Sequence, residues 1–271
     1  MSATLKKEKI LYTYITTLTT GNYIPGVIAL KKSLISVGSK YPLKIFVKKD
    51  LAKQLYRVGF EEKELILYDN HLIANNKKII CNQVDEHMHW NNTFDKLLIF
   101  SLVEYEKIVF LDADMMICSN IDELFERPHM SAVYPQFGSS DYKRGFNSGL
   151  MVIEPRQSLD KLIISQLEDY ELYSSLNGVS DNDLLISYYS NWKNNKDLLL
   201  DDVYNVFFPY YKKYLKVGLT REELKVIHFI GKEKVWMHNK LEIKKLLQET
   251  KLACNGSYEL LCQYLQLCEV K

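Results

Sequence analysis

The sequence carries almost no net charge. Its 271 residues include 35 lysines and arginines against 34 aspartates and glutamates, which gives a formal charge of +1. Broad electrostatic binding to nucleic acid or to an anionic membrane needs a surplus of basic residues, so neither is predicted. A hydrophobic content of 47% also excludes a disordered chain, which would be poorer in apolar residues and more highly charged.

Cysteines are few, and long apolar runs are absent. The five cysteines show no C-x-x-C spacing, so neither a disulfide framework nor a zinc ribbon is indicated. No apolar run approaches the roughly 20 residues of a transmembrane segment. Residues 1–9 are polar and rich in lysine, and the run that follows is too short and too rich in threonine for a signal peptide. We therefore expect a cytoplasmic protein without a transmembrane segment.

The sequence also lacks internal repeats and low-complexity linkers, which favours one domain over residues 1–238 and a short helical tail over 239–271. Apolar runs alternate with helical stretches, as in an α/β domain with a mainly parallel central sheet. The predicted strands cover residues 10–18, 43–47, 64–68, 107–111, 150–153 and 226–230. Helices are predicted after Pro25 and over residues 51–60, 94–105, 159–174 and 181–191. A polar loop is expected over residues 69–93.

Two aspartates, Asp112 and Asp114, directly follow the apolar strand 107–111. Side chains at positions i and i+2 of extended backbone point the same way, so both carboxylates converge. They do so at the carboxyl edge of the predicted sheet, where α/β proteins bind ligands. A divalent cation would relieve their mutual repulsion and add a positive site for phosphate. Alternatively both aspartates only cap turns, and the pair alone does not decide.

A second motif, HFIGKEKVW, covers residues 228–236. His228 ends a predicted strand, and Gly231 would let the backbone approach a ligand closely. Lys234 supplies a point charge that suits a phosphate oxygen. A lone histidine is more often structural than a ligand, but this set together with the aspartate pair favours a phosphate-bearing ligand.

On these motifs the sequence resembles glycosyltransferase family 8, with a pattern close to that of glycogenin and galactinol synthase. The matching stretches, in the family's order, are residues 14–34, Lys96, 110–125 (FLDADMMICSNIDELF), 146–155 (FNSGLMVIEP), 181–185 (DNDLL), Tyr204-Asn205 and 228–236. The resemblance covers most of residues 10–238. It implies a single Rossmann-like GT-A domain, a UDP-sugar donor, Mn²⁺ and retention of the anomeric configuration.

The resemblance also implies roles for the matched residues. The metal ligands would be Asp112, Asp114 and His228, a mixed oxygen and nitrogen set that suits Mn²⁺ better than Mg²⁺. The rest of the donor site would consist of Thr16, Thr17, Tyr23, Lys96, Ala113, Asn147, Ser148, Asp181, Gly231 and Lys234. The catalytic residues would be Asp181, Asn182 and Lys96.

The implied function is transfer of a hexose from a UDP-sugar, such as UDP-glucose, to a hydroxyl group of a glycan, polyol or protein. Glycogenin-like chains have glutamine where this chain has Asn182, so the donor sugar stays open. A sugar-phosphate nucleotidyltransferase is one alternative, although residues 19–23 (TTGNY) are not its Gly-rich, Arg-containing loop. A non-catalytic carbohydrate-binding protein is another, although the aspartate pair, His228 and Lys234 are all kept. The tail would either pack on the domain or form a homodimer contact.

Overall fold

A seven-stranded sheet forms the centre of the computed structural model, which describes residues 12–69, 88–138, 145–168 and 179–269. In chain order the strands are β1 (Tyr12–Leu18), β2 (Leu43–Lys48), β3 (Leu65–Tyr68), β4 (Lys107–Leu111), β5 (Met115–Ile117), β6 (Ala132–Val133), β7 (Leu150–Ile153), β8 (Leu199–Leu200), β9 (Val206–Phe207) and β10 (Val226–His228). The α-helices are α1 (Ile24–Ser36), α2 (Lys49–Arg57), α3 (Leu159–Ile164), α4 (Asp181–Tyr188), α5 (Tyr211–Lys216), α6 (Lys240–Ala253) and α7 (Asn255–Cys268). Most of the predicted loop over residues 69–93 lies outside the described residues.

The strand order in this sheet is β3-β2-β1-β4-β7-β6-β8. Strands β3, β2, β1 and β4 are parallel, whereas β7 is antiparallel to both β4 and β6, and β8 is parallel to β6. The predicted α/β fold with a mainly parallel sheet is therefore confirmed. After β1 the chain forms β2 and β3 on one side of that strand, and it then crosses to the other side of β1 to form β4. The crevice at the carboxyl ends of β1 and β4 is thus the expected place for a ligand.

Strand β4 is buried on both faces of the sheet. Its side chains alternate, so that Val109 and Leu111 join the apolar core beneath α1 and α2. Ile108 and Phe110 join the core on the opposite face, with α3 and α4. This double burial explains why the strand is an unbroken apolar run, and it fixes where the residues after it emerge.

The segment before β4 differs from its prediction. A helix is expected over residues 94–105, but the structure has 3-10 helix over Met88–Ser101. The fully buried side chains of Phe94, Leu97 and Phe100 are spaced by three residues. Residues at this spacing are stacked on one side of a 3-10 helix, so a single apolar face suits that geometry.

A second sheet of three strands, in the order β5-β10-β9, adjoins the first after β4. Helix α7 packs on it and on α1, and the ring of Tyr264 stacks on that of Phe229 with centroids 3.7 Å apart. Nζ of Lys32 in α1 donates to the carbonyl oxygen of Leu267 over 2.9 Å. The tail therefore packs on the rest of the chain through α7, whereas α6 has no buried residue. The domain boundary at residue 238 and a homodimer stay predictions.

Candidate metal and nucleotide site

Two aspartates follow β4 at the junction of the two sheets. The amide of Asp112 donates to the carbonyl oxygen of Gly149 over 2.8 Å, which extends the pairing of β4 with β7 by one residue. The carbonyl oxygen of Asp114 accepts from the amide of Phe229 over 2.9 Å, just before β5 begins. The side chain of Asp112 is 28% exposed and that of Asp114 9%, so the first carboxylate is the one open to the crevice.

His228, the last residue of β10, completes a cluster of three side chains. Its Nε2 lies 3.1 Å from Oδ1 of Asp114 and 3.9 Å from Oδ2 of Asp112. The register of β10 against β5 places His228 opposite Met115, which brings the distant histidine beside the aspartate pair. The three ligand atoms lie within 4.8 Å of one another. Two carboxylates and an imidazole nitrogen form a donor set that fits a divalent cation such as Mn²⁺.

Two positions beside this cluster have room only for glycine. A Cβ atom on Gly149 would lie 2.6 Å from Cε1 of His228 and 2.8 Å from Oδ1 of Asn147. A Cβ atom on Gly26, in the first turn of α1, would clash with the carbonyl oxygen of Ala113. The backbone approaches its neighbours at both points as only glycine permits. Neither glycine is among the predicted site residues, although both lie in stretches that carry the family resemblance.

Lys96 bridges two carboxylates in the buried wall of the site. Its Nζ lies 3.0 Å from Oδ1 of Asp112, 3.0 Å from Oδ2 of Asp181 and 3.4 Å from Oγ of Ser148. Burial alone would lower the pKa of Lys96, but the two carboxylates outweigh it and raise that pKa above its usual value. All three N–H groups of the ammonium have acceptors within the protein. The predicted contact of Lys96 with the donor therefore stays a prediction.

Burial has the larger effect at Asp112. It raises the pKa of this carboxyl, Lys96 opposes the rise, and the charge of Asp114 adds to it. Asp112 is thus a carboxylate whose negative charge is incompletely compensated by the protein. A bound cation would supply that compensation.

Lys234 pairs with Asp114 on the other side of the cluster. Its Nζ contacts Oδ2 of Asp114 and donates to the carbonyl oxygen of Phe229 over 3.0 Å. Burial would raise the pKa of Asp114, but Lys234 and His228 outweigh it and hold that pKa well below its usual range. The described residues provide two acceptors for the three N–H groups of Lys234, so one N–H group is left for a further acceptor.

Asp181 and Asn182 begin helix α4 beside Lys96. Oγ of Ser148 donates to Oδ2 of Asp181 over 2.8 Å, and the amide of Ser148 donates to Oδ1 of Asn182 over 2.8 Å. The side chain of Ser180 caps the helix by accepting from the amide at its third position. Ser148, Asp181 and Asn182 therefore form one hydrogen-bonded group, and the side-chain oxygen of Asn182 accepts from the backbone amide of Ser148.

Asn147 contacts a residue without a predicted role, Asn205. Nδ2 of Asn205 donates to Oδ1 of Asn147 over 2.8 Å, and Oδ1 of Asn205 lies 2.9 Å from Nδ1 of His228. Asn205 is fully buried and immediately precedes β9. Sequence reasoning includes it only in a matching stretch, because an asparagine before a short strand gives no signal of a contact with a distant histidine.

The predicted nucleotide-binding residues lie around the carboxyl end of β1. Thr16 is buried, and its Oγ1 has no hydrogen-bond partner among the described residues, while Thr17 is half-buried. The ring centroid of Tyr23 lies 5.7 Å from Nζ of Lys234, so Tyr23 adjoins the cluster. Gly231 has a φ of 119°, a left-handed conformation that favours glycine.

A family model and several known proteins match most or much of this chain. Residues 14–240 match the family model described as glycosyl transferase family 8. Glycogenin-1 of Caenorhabditis elegans is 31% identical over 232 residues, which cover 82% of this chain and 50% of that protein. Glycogenin-2 of Homo sapiens is 35% identical over 149 residues, covering 53% of this chain and 28% of that protein. The chain therefore spans half or less of the length of these two relatives.

A solved structure supports the fold. The galactosyltransferase LgtC, in complex with donor and acceptor sugar analogs, matches with a TM-score of 0.62 at 13% identity. The match covers 94% of this chain and 95% of that chain. At this identity the likeness shows the fold, and the predicted GT-A fold is confirmed. Among the described residues, none of the helices combines the length and apolar content needed to cross a membrane.

Proposed function

Because the chain belongs to glycosyl transferase family 8, we propose that it is a glycosyltransferase that moves a hexose from a UDP-sugar to a hydroxyl group. The acceptor is a glycan, a polyol or a protein side chain, and the anomeric configuration is retained. The reaction depends on Mn²⁺ and takes place in the cytoplasm. UDP-glucose is the first donor to test, since glycogenins are among the relatives.

The observation that carries this proposal is the cluster of Asp112, Asp114 and His228 at the end of β4. Together with Lys96, Lys234 and Asp181, this cluster contains three carboxylates and two ammonium groups. The group therefore has one negative charge in excess. A divalent cation changes this excess into a positive surplus. A diphosphate requires such a surplus, and the crevice at the switch point of the sheet is where it would bind.

The chemistry follows from the charges that develop on bond cleavage. Breaking the bond between sugar and phosphate leaves extra negative charge on UDP and positive charge on the sugar. Bound Mn²⁺ supplies Lewis-acid stabilisation of the diphosphate. Lys234, which has one N–H group without an acceptor among the described residues, places a fixed positive charge beside the leaving group. Lys96 holds Asp112 and Asp181 in place while that charge develops.

The sugar lies on the side of Asp181 and Asn182. Asp181 is fixed by Lys96 and Ser148, so its carboxylate is ready to face the cationic sugar without rearrangement. The amide oxygen of Asn182 already accepts from the backbone, which favours a positioning role over direct attack on the sugar. In this mechanism the acceptor hydroxyl approaches the sugar on the face from which the phosphate leaves, and the departing phosphate takes the proton of that hydroxyl.

The test is UDP release from a series of UDP-sugars with Mn²⁺ and with a mixture of glycan, polyol and protein acceptors. Activity is expected with one or a few donors, and EDTA should abolish it. Asp114→Asn should reduce the rate by about a hundredfold or more, because the cation loses a charged ligand. The matched control is Asp50→Asn, which alters an exposed carboxylate on α2 and should leave the rate unchanged.

The other functions give different results in the same assay. Exchange of pyrophosphate into UTP would indicate a nucleotidyltransferase, and saturable sugar binding without UDP release would indicate a non-catalytic protein. Release of UDP that persists in EDTA would contradict Mn²⁺ dependence but not sugar transfer.

A further inference from the structure

A row of hydrogen bonds runs from the backbone of Gly149 to the imidazole of His228. The amide of Gly149 donates to Oδ1 of Asn147 over 3.1 Å, and Nδ2 of Asn205 donates to the same oxygen over 2.8 Å. Oδ1 of Asn205 then lies 2.9 Å from Nδ1 of His228. All four residues are buried, so the protein itself must satisfy these polar groups.

The backbone amide fixes the direction of every bond in the row. An N–H group can only donate, so Asn147 presents its oxygen there and Asn205 must answer with its NH₂ group. The other end of the Asn205 amide is an oxygen, which can only accept, so Nδ1 of His228 carries a proton. The lone pair of the neutral ring is then on Nε2, the atom that faces Asp114 and Asp112.

We infer that Asn205 is a positioning residue that holds His228 in the tautomer able to bind a cation through Nε2, an inference that rests on the proposed metal site. Asn147 acts one step further out, because its oxygen determines which end of the Asn205 amide faces the histidine. Removing an outer partner of a ligating histidine typically weakens metal binding by about 10–100-fold. Asn147 thus has a task besides its predicted contact with the donor.

The position of Asn205 in the fold makes this arrangement rigid. Strand β9 is parallel to β10, with Phe207 opposite His228, so Asn205 enters from a neighbouring strand. The ring of Phe207 packs edge to face with the imidazole, with ring centroids 5.7 Å apart. The histidine is therefore held by packing on one side and by the amide of Asn205 at Nδ1.

The experiment measures Mn²⁺ affinity without donor, from the electron paramagnetic resonance signal of free Mn²⁺. Asn205→Leu has nearly the same shape but no acceptor, and should weaken binding by about 10–100-fold. The protonated carboxyl group of Asn205→Asp keeps both bonds, since its C=O accepts from Nδ1 and its O–H donates to Oδ1 of Asn147, and affinity should stay within about threefold of the wild type. Electron spin echo modulation from a coordinated ¹⁴N nucleus should be present in the wild type and Asn205→Asp, and absent in His228→Gln. The matched control is Asn194→Leu, at an exposed asparagine outside the cluster, with unchanged affinity expected.

The results distinguish failure of the inference about Asn205 from failure of the proposed metal site. Folded Asn205→Leu that binds Mn²⁺ like the wild type, with its ¹⁴N signal, would overturn the inference and leave the proposed function standing. Wild-type protein that binds no Mn²⁺ would overturn the metal site and the inference together. Should Asn205→Leu not fold, Asn205→Asp decides alone: retained affinity and ¹⁴N signal support the inference, and a loss of tenfold or more overturns it.

Discussion

Lys96 and Asp181 form a buried ion pair, with Nζ 3.0 Å from Oδ2 and only 7% and 6% of the two side chains exposed. The pair links the 3-10 segment before β4 to the first turn of α4. Because Lys96 also contacts Asp112, one ammonium group compensates carboxylates from two parts of the chain. The arrangement of the site and the stability of the fold therefore both depend on the ammonium group of Lys96.

Lys96→Met should destabilise the protein strongly. The substitution keeps the length of the side chain but leaves Asp112 and Asp181 without their shared counter-ion, and breaking a buried pair in this way typically costs about 3–5 kcal/mol. Urea denaturation at neutral pH measures the loss. Lys49→Met is the matched control, since Lys49 pairs with Asp69 at the surface, where such a pair contributes about 1 kcal/mol or less. Equal losses in both variants would contradict the importance of the buried pair.

Much of this site follows from short stretches of sequence. The apolar run of β4 predicts a buried central strand, and the two aspartates after it are therefore expected at the carboxyl edge of the sheet. The direction of β7 is not predictable in this way, because the run over residues 150–153 reads the same in a parallel or an antiparallel strand. The contacts of Gly149 and Asn205 with His228 depend on how β7, β9 and β10 are placed against one another. No local pattern specifies that placement.

Gly149→Ala should weaken metal binding by about tenfold or more without unfolding the protein. The added Cβ atom would lie 2.6 Å from Cε1 of His228, so the imidazole must move away from the aspartates. Misplaced ligands lose affinity because the coordination distances are no longer met. Mn²⁺ titration followed by calorimetry checks the change. Gly256→Ala is the control: its Cβ atom would meet Tyr211 at 3.3 Å, away from the metal ligands, and affinity should be unchanged.

His129 should make stability fall in mild acid. Its Nδ1 accepts from the amide of Glu154 over 3.0 Å, and its Nε2 lies 2.9 Å from the hydroxyl of Tyr189. Burial, with a further contribution from Arg156, lowers the pKa of His129 from 6.5 to about 4. Between these values the unfolded chain binds the proton and the folded protein does not. The contribution of neutral His129 to the free energy of unfolding is therefore fully present above pH 6.5. This contribution, about 3 kcal/mol, is lost as the pH falls toward 4.

The measurement is urea denaturation at several pH values from 7.5 to 4.5. His129→Asn places an amide oxygen where Nδ1 accepts and removes the titrating group. The difference in unfolding free energy between wild type and variant should shrink or reverse as the pH falls. A difference that does not change with pH would show that His129 has an ordinary pKa in the folded protein.

Helix α7 should stabilise the strand that carries His228. Two substitutions at Tyr264 separate the contribution of its ring from that of its hydroxyl group. The ring of Tyr264 stacks on Phe229 at 3.7 Å and 4°, while its hydroxyl is buried without a hydrogen-bond partner among the described residues. Tyr264→Ala removes the whole ring and should cost about 3–5 kcal/mol, the usual range for an aromatic core residue. Tyr264→Phe removes only an unsatisfied polar atom and should be neutral or stabilising by about 1 kcal/mol. Thermal unfolding of both variants checks the pair of expectations. A large loss from Tyr264→Phe would mean that the hydroxyl has a partner after all, and a small loss from Tyr264→Ala would mean that α7 contributes little to this strand.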